Sequence, residues 1–462
     1  MPPSNTNQTP SDEAAPAEAA TSPRKLRKWF NREIFGWAMF DFANQSFTLV
    51  ILTTMFQLYF VNYIVENDDQ LGRQLWATSG VIGQVIVIAI SPLIGALADF
   101  SGAKKRLLFA TYVMSVLLTA SLGLITPGQT ALGMTLFIVG YIFYATGENF
   151  MGSFLPELAK HRDMGKVSGF GWSMGYVGGL LCLGGAAAIT AIVEDQVAAF
   201  RWICVWAGVF FMLAGIPTFV LLRERKLAED MPPDHTMLTI GFVRIAETFR
   251  SLSRFKQLFR YLGIMTFYLS GMQIVIWFAG TIARDLFHLS EAQLAIYIVV
   301  LTVMALVGAV LTLTIQDRIG TRTTILLALG IWLPVMAAAG FASPERQWLF
   351  WVLGTGIGLG IGMLGTSSRS MVGLFSPHHK AAEFFGFYGL GHKFAAIIGL
   401  GWTILAEMIF SQDQYNLVVA SSAMFFIVGI GLMFTVNEKE GRIVAMKASR
   451  AHERKFRDYR EG

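Results

Sequence analysis

Apolar residues dominate long windows of the sequence, and short polar segments separate these windows. An α-helix rises about 1.5 Å per residue, so about 20 apolar residues cross the roughly 30 Å hydrocarbon core of a membrane. The pattern predicts membrane-spanning helices rather than the shorter elements of a soluble domain. The twelve predicted spans are 34–64, 76–98, 107–126, 131–155, 167–193, 202–222, 259–283, 292–315, 323–341, 347–368, 384–410 and 416–436.

The amino-acid composition agrees with this interpretation. Hydrophobic residues make up 54% of the 462 positions, charged residues make up 15%, and the mean hydropathy is +0.53. Soluble domains carry about 25% charged residues, which keep their surfaces hydrated. The sequence therefore predicts an all-α membrane protein, and it excludes the soluble classes.

Lysine and arginine residues concentrate in alternate connections between the spans. If the N-terminus is cytoplasmic, 31 of the 36 residues lie on the cytoplasmic side, four lie outside, and Lys393 lies within a span. Short cytoplasmic loops of membrane proteins carry such an excess of positive charge. We therefore expect both termini in the cytoplasm, and the short loops favour a bacterial inner membrane. Because topology explains the net charge of +5, no nucleic-acid partner is expected.

The chain divides into two groups of six predicted spans, residues 34–222 and 259–436. In the connecting linker, 223–258, apolar residues recur every three or four positions among basic residues. This pattern predicts an amphipathic helix at the inner membrane face. Residues 1–33 are expected to form a disordered cytoplasmic tail without a cleavable signal, and residues 437–462 a basic cytoplasmic tail.

The two groups of spans repeat each other. The pattern D-x-x-G-x-[KR] follows span two at Asp99 and span eight at Asp317, 218 residues later. Pro156 after span four and Pro377 after span ten are 221 residues apart. Two matches at nearly the same offset indicate a parallel duplication. We therefore expect twelve transmembrane helices in two pseudo-symmetric six-helix bundles.

The segment GALADFSGAKKR, residues 95–106, resembles the loop 2–3 signature of the major facilitator superfamily. The resemblance implies the major facilitator fold. It also implies a gate at the cytoplasmic mouth, where acidic and basic side chains exchange bonds as the bundles rock. For Arg369 the alternative is direct substrate binding, and for the basic residues of the loop it is a purely topological role. The predicted gating residues are Gly95, Asp99, Gly102, Lys104, Arg106, Asp317, Arg318, Gly320, Arg322 and Arg369.

Four further segments resemble the Atg22-like branch of this superfamily, and the resemblance covers residues 33–436. It implies secondary transport, with amino-acid efflux assigned to the vacuolar members. The chain departs from the family pattern at YLSG, 268–271, where an acid is missing, and at Met151-Gly152. The segments that carry the resemblance are FDFAN at 40–44, FLPELA at 154–159, VSGFGW at 167–172 and AEFFG at 382–386.

Span one contains a polar stripe within its apolar sequence. Asp41, Asn44, Gln45 and Thr48 occupy positions i, i+3, i+4 and i+7. These positions share one side of a helix. A charge at the bilayer centre costs about 2.5–3.5 kcal/mol on insertion scales, so the stripe is expected to face the bundle interior. We predict that Asp41, Asn44 and Gln45 bind substrate or protons. A structural ion pair near the helix end is the alternative for Asp41.

Span four carries a second candidate group. Glu148 is predicted to lie about 12 Å from the inner end of this span, with Tyr144 one turn away and Asn149 adjacent. A buried carboxyl that is neutral in one conformation and charged in another is suited to proton coupling. We therefore predict substrate or proton binding by these three residues, and a structural role is the alternative.

The candidates in the second half are mainly basic. If span eleven begins at Phe384, Lys393 lies near mid-depth beside His392 and needs a carboxylate partner. If the membrane begins near Gly391, Lys393 instead extends to the lipid headgroups. Gln273 in span seven is expected to bind substrate or to hydrogen-bond a neighbouring helix.

Glycines recur in span ten, LGTGIGLGIGMLG, and in span five. Gly354, Gly358 and Gly362 share one helix face, which predicts close helix contact. We also expect span ten to bend during gating, because glycine weakens a helix.

The expected function is secondary active transport of a small polar solute, an amino acid or a related organic ion, by proton-coupled alternating access. The alternatives are an exporter or flippase of amphipathic lipid-like molecules and a non-transporting receptor or scaffold. The sequence contains no phosphate-binding glycine loop and no zinc-spaced Cys/His set, so no enzymatic activity, cofactor or metal is expected. The expected partners are the solute, protons and membrane lipids, and the protein is expected to be a monomer.

Overall fold

A computed structural model of the chain is helical throughout its membrane-spanning part. It describes residues 29–66, 69–225, 254–281, 287, 291–410 and 415–461, with single positions between 236 and 250. Eleven helices in this part of the chain are long and apolar enough to cross a membrane. A further helix of 29 residues, Ala381–Ile409, lies between the last two of them. Together they correspond to the twelve predicted spans.

The twelve helices are numbered α1 to α12 in chain order, and a C-terminal helix, α13, follows them. Their bounds are Arg32–Ile64, Asp69–Ser101, Lys104–Ser121, Thr130–Ser153, Met164–Ile192, Gln196–Leu221, Lys256–Thr281, Glu291–Ile319, Thr321–Ala339, Gln347–Phe375, Ala381–Ile409, Asn416–Met433 and Glu438–Glu461.

Helices α1 to α6 pack together, as do α7 to α12, and the main contacts between the groups involve three helices of each. Helix α5 packs against α8 and α10, and α11 packs against α2 and α4. Large apolar side chains such as Val85, Leu213 and Val352 are exposed, as expected for a surface that contacts lipid. The two groups are called the N-bundle and the C-bundle. The end that carries Gly102 and Gly320, predicted to be cytoplasmic, is called the inner end.

Helix α1 is irregular beyond its first half. The α-helix Arg32–Gln45 continues as a wide π-helical segment, Ser46–Thr53, and Thr54 interrupts it before the helix resumes at Met55. The Thr53 hydroxyl donates to the Thr48 carbonyl at 2.7 Å, so side chains satisfy part of the loosened backbone. Hydropathy did not predict this interruption, because the segment is predominantly apolar.

Glycines of α10 allow close approach to two neighbouring helices. A Cβ added at Gly358 would lie 2.5 Å from the Leu301 carbonyl oxygen of α8, and one at Gly362 would overlap the Ala305 carbonyl oxygen. On another face, Gly360 contacts the Trp332 indole of α9. These positions therefore serve close packing within the C-bundle. Bending of α10 stays a prediction.

Helix α5 uses glycine on two faces. A Cβ added at Gly169 would lie 2.7 Å from Leu313 of α8, across the bundle interface. On the other face, one at Gly178 would overlap the Phe42 carbonyl of α1. Helix α5 is therefore held closely both inside the N-bundle and against the C-bundle.

Most helix bounds differ from the sequence prediction by a few residues, and the difference at the end of span ten affects a candidate residue. Span ten was predicted to end at residue 368, but α10 continues to Phe375. Arg369 therefore lies six residues inside the helix and does not close it, because the polar run SSRS faces buried surroundings rather than the aqueous boundary. The C-terminal residues predicted as a basic tail form α13, whose Ala445 and Ala448 are buried. The predicted linker helix falls largely outside the described residues.

We predict that Gly362→Leu lowers the free energy of unfolding by about 1–3 kcal/mol, the cost typical of overpacking. Its side chain would overlap backbone atoms of α8. Gly330→Ala in α9 is the control, since no atom lies within 4 Å of an added Cβ there. Thermal unfolding in detergent should show a lower midpoint for Gly362→Leu only. Equal midpoints for both variants would contradict the close α8–α10 packing.

Candidate functional site

A network of charges closes the inner end between α2 and α11. Asp99 accepts a hydrogen bond of 2.9 Å from the Glu383 backbone N–H, in the first turn of α11. Lys104 pairs with Asp99 at 3.1 Å and with Glu157 at 2.9 Å, and its side chain is fully buried. A carboxylate at a helix N-terminus is favoured by the free backbone N–H groups and the helix dipole. Asp99 therefore joins the N-bundle to the first turn of α11.

The second copy of the D-x-x-G-x-[KR] pattern makes an equivalent contact, with the two bundles exchanged. Asp317 accepts from the backbone N–H groups of Gly165 at 2.9 Å and Lys166 at 3.1 Å, in the first turn of α5. The carboxylate again lies at a helix N-terminus of the opposite bundle. The two predicted D-x-x-G-x-[KR] copies thus make equivalent contacts across the interface.

At the glycines of both copies, the backbone conformation or the available space excludes a side chain. Gly102 and Gly320 have φ angles of 61° and 91°, which side chains rarely adopt. A Cβ added at Gly95 would lie 2.5 Å from the Ala382 carbonyl oxygen of α11. Each predicted gating glycine therefore lies at a tight turn or a close helix approach.

Two acidic residues that sequence reasoning missed complete these corners. Glu224, after α6, accepts from the Lys105 backbone N–H at 2.7 Å, and Glu438, after α12, accepts from that of Arg322 at 2.9 Å. Their equivalent positions after the last helix of each bundle were the available signal. Arg106 and Arg318 are exposed, so the structure places them outside these networks.

The most direct contact between the bundles is an ion pair in the membrane interior. Arg369 of α10 donates to Asp41 of α1 at 2.7 Å, and the exposed fractions of the two side chains are 8% and 16%. Arg369 also donates to the Ser168 carbonyl at 2.9 Å. The guanidinium lies over the Trp37 ring at 4.8 Å and the Trp172 ring at 5.4 Å. N-bundle groups thus surround this C-bundle cation.

Deeper in the interface, a second acid and a second base face each other. Asn44 donates to Glu148 at 3.2 Å, and Thr48 and Tyr144 share a hydrogen bond of 2.8 Å. Glu148 interacts electrostatically with Lys393 of α11. Within the described residues, however, no carboxylate lies within the 4.0 Å of an ion pair with Lys393. The polar stripe of α1 therefore faces the bundle interior.

Lys393 is directed at the N-bundle. Its ammonium lies 5.0 Å from the centre of the Tyr141 ring of α4, and it is the thirteenth residue of α11. At about 1.5 Å per residue, this places it about 18 Å along the helix, near mid-depth. His392 packs edge-to-face on Tyr388, with ring centres 4.8 Å apart.

The remaining candidates make hydrogen-bonding or packing contacts. Asn149 donates to Ser91 of α2 at 3.1 Å, and its side chain also packs against Gly389 of α11 in the C-bundle. Gln45 packs against Gly175 of α5. Gln273 is half-buried in α7.

With this geometry established, the sequence can be compared with known families. The sequence profile of the family described as "Vacuole effluxer Atg22 like" matches residues 77–445. The chain belongs to this family.

Proteins similar to the Atg22-like chain align with it over most of its length. An uncharacterised MFS-type transporter of Bacillus subtilis, YxiO, is 24% identical over 91% of this chain and 99% of its own. Autophagy-related protein 22 of Kluyveromyces lactis is 22% identical, over 91% and 95% of the two chains.

Solved structures show the same fold as the Atg22-like chain. The proton:xylose symporter XylE superposes with a TM-score of 0.67 at 15% identity, covering 90% of this chain and 98% of its own. The human organic anion transporter MFSD10 gives 0.66 at 14% identity, over 87% and 99%. The Atg22-like protein is thus an integral membrane transporter of the major facilitator type and not an enzyme.

We predict that Asp41→Ala and Arg369→Ala each lower the free energy of unfolding by about 3–5 kcal/mol, because each leaves an uncompensated buried charge. The double variant should lose less than the sum of the two. Thermal unfolding midpoints in detergent check this order, with exposed Arg106→Ala as the control. Additive losses would show that the two groups are not coupled.

Proposed function

We propose that this transporter moves a small polar solute, an amino acid or a related organic ion, by proton-coupled alternating access. The observation that carries the proposal is the distribution of buried charge across the interface. Asp41 and Glu148 belong to the N-bundle, and Arg369 and Lys393 belong to the C-bundle. Movement of one bundle against the other must therefore separate opposite charges inside the membrane.

Such separation needs replacement partners, because an unpaired charge in a poorly hydrated interior is strongly disfavoured. Water, a proton or a charged solute can provide them. Asp41 and Arg369 lie about 14 Å and 9 Å from the inner ends of their helices, by residue count from Arg32 and Phe375. Opening the inner end would pull this pair apart. A proton on Asp41 would then neutralise the carboxylate, which has lost Arg369 as its partner.

We assign solute binding to Glu148 and Lys393, the deeper of the two acid–base pairs. The charge of Arg369 is balanced by Asp41 in this state, whereas Lys393 has the Tyr141 ring beside it and Glu148 at a longer distance. A solute with both a carboxylate and an ammonium would complement Lys393 and Glu148 together. The family description, a vacuole effluxer, supports a solute transport role.

The mirrored contacts of Asp99 and Asp317 indicate a state closed at the inner end. We assign this end to the cytoplasm, and with it both termini. The Bacillus subtilis relative and the short loops support a bacterial inner membrane. We also propose a monomer as the transporting unit.

We predict that proteoliposomes containing the protein take up amino acids faster when a pH gradient is imposed. Asp41→Asn cannot exchange a proton at this position, so it should lose most of the gradient-driven uptake and keep the shape of the site. The measurement is radiolabelled uptake with and without the gradient. Glu194→Gln, which removes an exposed carboxyl between α5 and α6, is the matched control. Gradient-driven uptake at wild-type rate in Asp41→Asn would exclude Asp41 as the proton carrier.

A further inference from the structure

Two polar groups on α5 lie at the bundle interface without a hydrogen-bond partner among the described residues. They are the Trp172 indole Nε1–H and the Tyr176 hydroxyl. Both atoms are inaccessible to solvent, and Tyr176 as a whole is only 7% exposed. Buried polar groups in native proteins are nearly always hydrogen-bonded, so an exception calls for an explanation.

The surroundings of these groups belong to the opposite bundle. Tyr176 packs against the small side chains Ala305 and Ala309 of α8. A Cβ added at Gly365 of α10 would lie 3.0 Å from the Trp172 ring. Trp172 and Tyr176 are one helical turn apart, with ring centres at 5.7 Å. The pair therefore lies against α8 and α10, where relative movement of the bundles changes the surroundings of each ring.

The pair also lies close to the charged groups of the proposed pathway. Trp172 stacks on the Arg369 guanidinium, and Tyr176 interacts electrostatically with Arg369, Asp41 and Tyr388. Tyr388 in turn interacts with Glu148. Trp172 and Tyr176 are thus placed beside the solute position without contributing charge.

We propose that Trp172 and Tyr176 form a second recognition point, which binds an uncharged hydrogen-bond-accepting oxygen of the solute. This inference rests on the proposed function. An indole N–H only donates and a phenol readily donates, so the complementary group is a carbonyl, amide or hydroxyl oxygen. A transporter with such a site prefers amino acids whose side chain carries this oxygen over apolar ones of similar size.

The physical basis of the preference is the cost of leaving buried donors unpaired. A site built to hydrogen-bond a substrate group discriminates strongly against an analogue that lacks the group. A purely apolar pocket discriminates only weakly between similar shapes. The two unpaired donors therefore predict selectivity for polar side chains.

The experiment measures kcat/KM for uptake of three pairs of similar size, L-threonine and L-valine, L-asparagine and L-leucine, and L-glutamine and L-methionine. The wild type should favour the polar member of at least one pair by about ten-fold or more. Trp172→Phe and Tyr176→Phe keep an aromatic ring but remove the donor. Each should reduce the ratio several-fold, because uptake of the polar member falls more than uptake of the apolar member.

Trp332→Phe is the matched control. The Trp332 Nε1–H is also buried without a described partner, but it stacks on Phe426 inside the C-bundle, with ring centres 4.9 Å apart. This variant should leave every ratio at the wild-type value. A loss of selectivity in Trp332→Phe as well would overturn the inference, because it would show a general effect of losing a buried indole.

Thermal unfolding separates the proposed role from a structural one. If the Tyr176 hydroxyl has no ligand, Tyr176→Phe removes a cost of folding and raises the unfolding midpoint. A raised midpoint with unchanged uptake ratios would overturn the inference. Transport without preference in any pair would overturn it too, and would leave the proposed function intact. A wild type that transports none of the six amino acids would overturn the inference and, with it, the amino-acid assignment of the proposed function.

Discussion

The requirement that a buried charge have a partner governs the arrangement of the two bundles. In a membrane interior, neither Asp41 nor Arg369 can remain charged and alone without a large cost. The N-bundle therefore supplies nearly the whole environment of Arg369, from the carboxylate of α1 to the Ser168 carbonyl of α5 and the rings of Trp37 and Trp172. The glycines of α5 follow from the same requirement. A Cβ at Gly171 would lie 2.6 Å from the Asp41 carboxylate and 2.7 Å from the Arg369 guanidinium, in the space that the pair needs.

The inner end applies the same physics at helix N-termini. Asp99 and Asp317 each accept from backbone N–H groups in the first turn of a helix of the other bundle. The bonds are charge-assisted, and the side chains of Asp99 and Lys104 are at most 1% exposed. Like the ion pair of Asp41 and Arg369, these groups need water, a proton or a solute as a replacement partner when the bundles separate. The molecule thus has two layers of buried charge between its bundles, and both must be re-partnered during opening.

The sequence predicted the helices well because hydropathy responds to the membrane, and it predicted the stripe of Asp41 and Asn44 because helical periodicity fixes the side they share. It did not predict that Arg369 is the partner of Asp41, since pairing across bundles depends on packing that no local pattern encodes. The end of span ten was placed too early because a polar run in a buried interface resembles a membrane boundary. Trp172 and Tyr176 drew no attention as site residues, because an aromatic pair one turn apart is ordinary in a helix. The absence of described partners for their polar atoms, together with their position against the C-bundle beside Arg369, distinguishes them.

The wide turns of α1 have a consequence for how its outer half can be oriented. A π-helical turn holds one residue more than an α-helical turn, and one residue corresponds to about 100° of rotation. Contraction of Ser46–Thr53 to α-helical geometry would therefore swing everything beyond it around the axis. Tyr59, whose hydroxyl now reaches the Ile125 carbonyl at 2.7 Å, would lose that anchor and point in another direction. The outer half of this single helix thus has a discrete second register available, reached by twisting in place without displacement of a whole bundle.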